Sequence, residues 1–176
     1  LEDPDVVEKL YRAGRAGVEI DLIVRGICRL RPDVDGTSDA IRVHSVIGRF
    51  LEHSRIFRFG DDDPDYFIGS ADWMTRNLDR RVEAVAPVEN PRLRSELDAI
   101  LSIMLADNRK RWVMHPDGSY VQKRPQAGEP TRDTHEMLMD RARRTAPDES
   151  LPSRRDPGRE PNIDLDEVYT TDPFEG

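Results

Sequence analysis

His53 and Arg55 are one residue apart, and the segment Gly69-Ser70-Ala71-Asp72 begins fourteen residues after Arg55. Side chains repeat every second residue in an extended segment, so His53 and Arg55 point the same way and are able to face one phosphate. Phosphoryl transfer needs a group that titrates near neutrality and cations that offset charge on the non-bridging oxygens. His53 can supply the first, and Arg25, Arg55 and Arg81 can supply the second.

The same spacing resembles the H-x-K and G-S-x-N signature of the phospholipase D superfamily. Arg55 replaces the lysine, and Asp72 stands where that superfamily usually has asparagine. The segments DLIVRGIC, IRVHSVIGRFLEHSRIF, GSADWMTRNLDRRVE and PDGSYV occur in order and together resemble the C-terminal catalytic domain of the polyphosphate kinases, over about residues 1 to 145. In that family H-x-R is the usual form. The resemblance implies an α/β fold, a phospholipase D-like half in which a mixed sheet is flanked by helices.

The resemblance also implies a role for each candidate residue. His53 would be the partner histidine, which contacts ATP and serves as general acid/base, and Arg25 would bind the ATP phosphates. Arg55 and Arg81 would bind polyphosphate, Arg81 because it resembles the arginine that lines the polyphosphate path. The phosphorylated histidine and the magnesium-binding positions belong to the preceding half in this family, and that half is missing here. Mg²⁺ is therefore expected in the full enzyme, with ligands outside this chain.

Three further residues are expected around these groups. Ser70 can place a hydroxyl near phosphate, Asp72 lies beside it, and Glu83 either orients His53 or pairs with adjacent arginines. His53 has a plainer interpretation as well, a histidine late in a short helix that interacts with the helix's last carbonyls. The remaining histidines match no ligand spacing with Cys28 or with one another, so no metal is assigned to them: His44, His115 and His135.

The parent reaction implied is reversible transfer of the terminal phosphate of ATP to polyphosphate through phosphohistidine. This half alone is expected to bind phosphates weakly and to catalyse little. The expected partners are ATP or ADP, inorganic polyphosphate, the missing N-terminal domains and further copies in a full-length homo-oligomer, but no nucleic acid. Two alternatives stay open: a homodimeric single-motif phosphodiesterase or nuclease of the phospholipase D type, and a non-catalytic polyanion-binding module.

The composition fits one domain, residues 1–145, that lacks its N-terminal part, followed by a tail. The net charge is −8, but residues 146–176 hold nine acids and three arginines, so the first 145 residues are nearly neutral. Residues 22–60 hold seven arginines against four acids, and arginine binds phosphate bidentately. The acidic, proline-rich tail is predicted to be disordered. No apolar stretch is long enough to span a membrane, and the lone Cys28, expected to be buried, favours a reducing, cytoplasmic location.

The apolar patterns predict the elements that position these residues. Helices are predicted after Asp3, at 47–53 with His53 near the C-terminus, after Asn90 and at 133–144. Strands are predicted at 18–24, 41–46, 55–59, 66–68 and 81–86, with a hairpin between 109–114 and 120–123. The first strand reads as a buried parallel strand, which places Arg25 at its C-terminal end, where open α/β sheets bind ligands.

Overall fold

A computed structural model describes residues 1–145; the predicted tail, residues 146–176, lies outside the described residues. The elements follow one another as α1 (Pro4–Arg15), β1 (Ile20–Ile23), β2 (Ile41–Val46), β3 (Ile56–Phe59), β4 (Asp65–Gly69), α2 (Thr75–Arg80), β5 (Val85–Pro87), α3 (Pro91–Ala106), β6 (Arg111–Met114), β7 (Tyr120–Gln122) and α4 (Thr134–Thr145). No helix among these residues combines the length and apolar character needed to cross a membrane.

Helix α1 begins where the sequence predicts it to begin. The Asp3 carboxylate accepts a hydrogen bond from the Val6 amide at 3.0 Å, and Pro4 occupies the first turn, where its missing N–H costs nothing. The apolar side of α1 packs on one face of the larger sheet. The core there combines side chains from helix, strands and loops: Val7, Leu10, Leu22, Leu30, Ile41, Val43 and Met114.

The larger sheet has four strands in the order β1-β2-β6-β7. Strand β1 runs parallel to β2, with Ile20 opposite Ile41, whereas β6 is antiparallel to both β2 and β7. The sheet is therefore mixed, as predicted. Because β1 and β2 are parallel, both end at the same edge of the sheet, and Arg25 follows β1 there.

A second sheet is antiparallel and has the order β3-β4-β5. Ile56 lies opposite Ile68, and Gly69 lies opposite Val85. The Gly69 amide donates to the Arg55 carbonyl at 2.9 Å, just beyond the end of β3. This register brings the backbone of Arg55 next to the turn that carries Ser70 and Asp72.

Helix α4 is fixed at its start by a buried carboxylate. Asp107, fully buried at the end of α3, accepts hydrogen bonds from the amides of Arg109 (2.7 Å), Arg111 (3.0 Å) and Thr134 (2.7 Å). Asn108 adds a second link, because its side-chain oxygen accepts from the Arg132 amide at 2.8 Å. The start of α4 is thus tied to the turn between α3 and β6.

Two sequence predictions about segments near the site are wrong. Residues 47–53 form no helix, so the interpretation of His53 as a residue near a helix C-terminus is also wrong. The predicted strand at 81–86 is reduced to Val85–Pro87, because the chain forms the short helix α2 just before it. Val82, which should have alternated into the core, is fully exposed.

Burial is also less complete than the patterns predicted. Strand β1 is shorter than predicted and only half-buried, because it is an edge strand in the described chain. On α3 only Met104 of the apolar stripe is fully buried, and Leu93 is exposed. Cys28 is half-buried, with its thiol 3.5 Å from the Leu30 carbonyl oxygen.

Candidate functional site

The centre of the candidate site is the arginine–aspartate cluster, formed by Arg25, Arg55 and Asp72. Nη2 of Arg25 lies 3.1 Å from Oδ2 of Asp72, and Nη2 of Arg55 lies 2.9 Å from Oδ1 of the same carboxylate. Arg25 follows the edge strand of the four-stranded sheet, whereas Arg55 and Asp72 flank strands of the three-stranded sheet. One carboxylate therefore holds two guanidinium groups that come from different sheets.

The charge state of Asp72 follows from these contacts. Partial burial disfavours its ionised form, but the positive charges of Arg55 and Arg25 and their hydrogen bonds outweigh burial and hold its pKa below the ordinary value. Asp72 is therefore ionised at neutral pH. It presents two anionic oxygens to two arginine forks, the arrangement in which arginine also binds phosphate.

His53 lies against the Arg55 guanidinium. Nη1 of Arg55 is 2.6 Å from Nδ1 of His53 and 2.8 Å from the His53 carbonyl oxygen. Because a guanidinium can only donate, the ring nitrogen that faces it acts as acceptor. The two side chains are on the same side of an extended segment, as their spacing predicted, and the His53 side chain is exposed to solvent.

Ser70 and Glu83 meet in a second group beside the cluster. The Ser70 hydroxyl donates to Glu83 in a short hydrogen bond and accepts one from the Ala84 amide at 3.0 Å. The other oxygen of Glu83 accepts a hydrogen bond from the Asn77 side chain at 3.2 Å. Within residues 1–145 Glu83 thus contacts the Ser70 turn and α2 rather than His53.

Among the described residues, the Arg81 side chain contacts neither of these two groups. Arg81 immediately follows α2 in an extended conformation, and its side chain is exposed. In the part of the chain that the structure describes, its guanidinium forms no hydrogen bond and no ion pair. The structure therefore brings together Arg25, His53, Arg55 and Asp72, but not Arg81.

Several residues that support the site were not singled out from the sequence. The Trp73 ring stacks on Phe57 with 5.2 Å between ring centroids, and its carbonyl accepts from the Glu2 amide at 2.7 Å. The Thr75 hydroxyl donates to Asp3 at 3.1 Å, which ties the turn after Asp72 to the start of α1. An aromatic residue directly after Gly-Ser-Ala-Asp indicates that the turn packs against another part of the domain, but which residue it packs against depends on the tertiary fold.

The carboxylates and imidazoles among residues 1–145 do not form a metal centre. No group of three or more histidine, cysteine, aspartate or glutamate side chains is arranged there to hold an ion. Asp72 is already engaged by two arginines, while His44 pairs with Asp21 at 3.2 Å and His135 pairs with Glu52 at 2.8 Å. Burial is the main cause that lowers the pKa of His44.

Comparison with known proteins identifies the family. The family described as "Polyphosphate kinase C-terminal domain 2" matches residues 1–134. The polyphosphate kinase of Thermosynechococcus vestitus is 60% identical over 142 residues, which cover 80% of this chain and 19% of that protein. The polyphosphate kinase of Mycobacterium tuberculosis is 51% identical over 143 residues, covering 81% of this chain and 19% of that protein.

Structure comparison agrees with the sequence matches. The crystal structure of polyphosphate kinase from Porphyromonas gingivalis matches with a TM-score of 0.77 and 42% identity, covering 81% of this chain and 22% of that chain. The chain thus spans about a fifth of the length of these relatives. The match confirms the predicted α/β, phospholipase D-like architecture with its mixed sheet flanked by helices. The chain belongs to the family of polyphosphate kinase C-terminal domains.

Proposed function

We propose that this chain is the part of a polyphosphate kinase that binds the phosphate groups of ATP and polyphosphate and supplies the partner histidine. The parent reaction is reversible transfer of the terminal phosphate of ATP to polyphosphate through a phosphohistidine formed elsewhere in the enzyme. One observation carries this proposal: Arg25 and Arg55 converge on the single carboxylate of Asp72, and His53 lies against the Arg55 guanidinium. That carboxylate occupies the arginine forks as a phosphate would.

Each residue then has a distinct task. Arg25 and Arg55 carry permanent positive charge, so they bind the phosphates and offset the charge that develops on their oxygens during transfer. A phosphate that binds Arg55 competes with His53 for the same N–H donors. His53, once released from Arg55, takes up a proton from solvent to become an imidazolium, and it delivers that proton to the leaving oxygen as the bond from this oxygen to phosphorus breaks.

The more peripheral residues have supporting tasks. Ser70 and Glu83 fix the turn that carries Asp72, because the Ser70 hydroxyl joins that turn to the Ala84 amide and to the Glu83 carboxylate. Arg81, exposed directly after α2, offers a further cation that polyphosphate can reach from solvent. ATP as substrate and the lone thiol of Cys28 also favour a cytoplasmic enzyme.

Magnesium is proposed as a cofactor of the full-length enzyme and not as an ion bound by this chain alone. When bound, Mg²⁺ neutralises phosphate charge and aligns the transferred group. The described residues of this chain offer no fitting set of ligands, since Asp72 is held by Arg25 and Arg55. We therefore place the magnesium ligands outside this chain, in the remaining four-fifths of the enzyme's length, which would also carry the nucleophilic histidine and contacts to further copies.

The first test uses the 176-residue chain. Calorimetric titration with tripolyphosphate should show weak binding that Arg25→Gln abolishes and Arg29→Gln, an exposed arginine of the same loop, leaves unchanged. Incubated with ATP and Mg²⁺, the chain alone should make no polyphosphate, because one histidine cannot serve as nucleophile and leaving-group acid on opposite sides of the same phosphorus. Robust synthesis by the chain alone would contradict the proposed division of labour.

The same preparations separate the two alternatives. If the chain is a polyanion-binding module, His53→Ala should leave its affinity for phosphate unchanged. The same change should also leave the turnover of the intact enzyme undiminished. A homodimeric phosphodiesterase predicts nuclease activity in the purified chain. We expect neither.

A further inference from the structure

His135 is a buried histidine that the proposed reaction does not use. It lies in the first turn of α4, is 3% exposed, and contacts the segment that ends at His53, hereafter the 47–53 segment. Its Nε2 lies 2.8 Å from Oε1 of Glu52, and its Nδ1 lies 3.3 Å from the amide nitrogen of Phe50. The imidazole also meets the Phe50 ring edge to face, with 5.4 Å between centroids.

These contacts define the protonation of the ring. The Phe50 amide can only donate, so Nδ1 accepts and the proton of a neutral imidazole is on Nε2. Nε2 then donates to the Glu52 carboxylate, which is itself largely buried. Both nitrogens are satisfied, and the 47–53 segment is held at two points, one on its backbone and one on the side chain directly before His53.

The 47–53 segment depends on these two points because few other contacts hold it. At its start the Ile47 amide donates to the Lys110 carbonyl at 3.1 Å, and at its end the Arg55 guanidinium lies 2.8 Å from the His53 carbonyl oxygen. Between Gly48 and Ser54 the segment forms no backbone–backbone hydrogen bond with any described residue. Its apolar side chains do not bury it: Leu51 is 74% exposed, and Ile47 and Phe50 are at least half exposed. Gly48 lies directly under the His135 ring, where a Cβ atom would come within 2.5 Å of Nδ1.

The other side of this contact is firmly fixed. The amide of Thr134, one residue before His135, donates to the buried Asp107 carboxylate at 2.7 Å. Asp107 also accepts from the turn that opens β6, the strand paired with β2. The backbone next to His135 is therefore linked to the four-stranded sheet. The contact of His135 with Glu52 in turn restrains His53, the next residue along the chain.

We propose that His135 is a positioning residue that, through Glu52 and the Phe50 amide, sets the location of His53 in the site. The idea rests on the proposed function in one respect, that His53 is the group whose place matters. Glutamine at position 135 can supply both a donor and an acceptor, whereas leucine fills a similar volume and supplies neither. His135→Leu should therefore release the segment, and His135→Gln should largely retain it.

The first experiment measures the segment in the 176-residue chain. In His135→Leu, hydrogen exchange of the Phe50 amide should accelerate about tenfold, the usual worth of one lost hydrogen bond, and the His53 imidazole signals should shift or broaden in NMR spectra. His135→Gln should stay within about threefold of the wild-type rate. His115→Leu, which removes an exposed histidine from the β6–β7 turn, is the matched control and should change neither signal. Unchanged Phe50 exchange and His53 signals in His135→Leu would overturn the proposal.

A general loss of stability must be separated from local release. The amide of Val43, fully buried in β2, reports global unfolding, and its exchange should not change in parallel with that of Phe50. If the two amides accelerate equally, His135 is merely structural and the proposal fails. Should His135→Leu not fold, Gly48→Ala is the second variant, because it displaces the ring while leaving every hydrogen-bonding group present; it should release Phe50 and His53 in the same way.

Kinetics of the intact enzyme carrying the same changes complete the test. Displacement of His53 should lower kcat for His135→Leu with little change in the KM for ATP, and His135→Gln should restore kcat. If tripolyphosphate fails to bind even the wild-type chain while the exchange results hold, the proposed function fails and the positioning of His53 stands. If the wild-type protein binds tripolyphosphate and the intact enzyme is active, but His135→Leu keeps its full kcat, the positioning role of His135 is overturned while the proposed function stands.

Discussion

Replacing Asp72 by asparagine should strengthen the binding of phosphate to this chain. Asp72 is the resident counter-ion of Arg25 and Arg55, so an incoming phosphate must displace or share it. Asparagine keeps the shape of the side chain and one acceptor oxygen but removes the competing charge. The phospholipase D superfamily, as noted above, usually has asparagine at this place in its signature.

The size of the effect follows from the exposure of the partners. The side chains of Arg25, Arg55 and Asp72 are 31%, 14% and 27% exposed, so water partly screens both attractions and each ion pair is worth on the order of 1 kcal/mol. Removing two such competitors should favour phosphate by about 1–2 kcal/mol, which lowers the Kd by roughly five- to thirtyfold. The same loss should lower the melting temperature of the free protein by a few degrees.

Isothermal titration of tripolyphosphate into wild type and Asp72→Asn measures this directly. Asp79→Asn is the matched control, because it removes one negative charge from the exposed side of α2 without touching the cluster. The difference between the two variants should shrink at high salt, since the gain is electrostatic. Weaker binding by Asp72→Asn would show that the carboxylate mainly positions the two arginines and competes little with phosphate for them. An equal gain in affinity in Asp79→Asn would show that the effect comes only from the change in net charge.

Three further outcomes are expected. In the intact enzyme Arg25→Ala should weaken ATP binding and also slow turnover, whereas His53→Ala should lower turnover by about 10²–10⁴-fold with a smaller effect on ATP affinity. Steady-state kinetics with ATP and polyphosphate varied separately would distinguish the two variants. Near-normal turnover of His53→Ala would show that His53 takes no part in the chemical step. Burial opposes ionisation of Asp107, but hydrogen bonds to backbone amides and Thr134 outweigh it and lower its pKa, so its stabilising effect is complete at neutral pH and is lost as the pH falls through the folded-state value. Asp107→Asn should therefore cost about 2–3 kcal/mol in urea unfolding at neutral pH and much less in acid, and a cost independent of pH would contradict the assignment. Burial raises the pKa of Cys28, so its alkylation at mildly alkaline pH should be slower in the native chain than in urea.

The sequence predicts those elements that carry their own local signals. Asp3-Pro4 and Asn90-Pro91 mark helix starts because a capping side chain and a proline at N1 act within one turn, and both helices begin there. Apolar, β-branched residues at 41–46 predict β2 with its observed bounds. The spacing of His53 and Arg55 likewise predicts that their side chains point the same way, because period-two alternation needs no tertiary information, but their direct contact was not predicted.

Long-range contacts decide what the sequence does not predict. Ile47, Phe50 and Leu51 have helical spacing, but they remain exposed, and the segment is fixed instead by His135, more than eighty residues later in the chain. The position of Asp72 between two arginines depends on the pairing of β4 with β3 and on the end of β1, where Arg25 is 47 residues from Asp72 in the sequence. Family resemblance supplied the candidate site residues, but their geometry depends on the fold.

The ion pair between Arg25 and Asp72 also links the two sheets mechanically. Arg25 extends from the four-stranded sheet and Asp72 from the three-stranded sheet, so their contact restrains the relative orientation of the two. If phosphate binds as proposed, it would displace Asp72 and replace this restraint with its own bonds to Arg25 and Arg55. The angular freedom between the sheets would then depend on occupancy of the site, and residual dipolar couplings of strand amides, measured with and without tripolyphosphate, would report that change even in a chain that carries out no reaction.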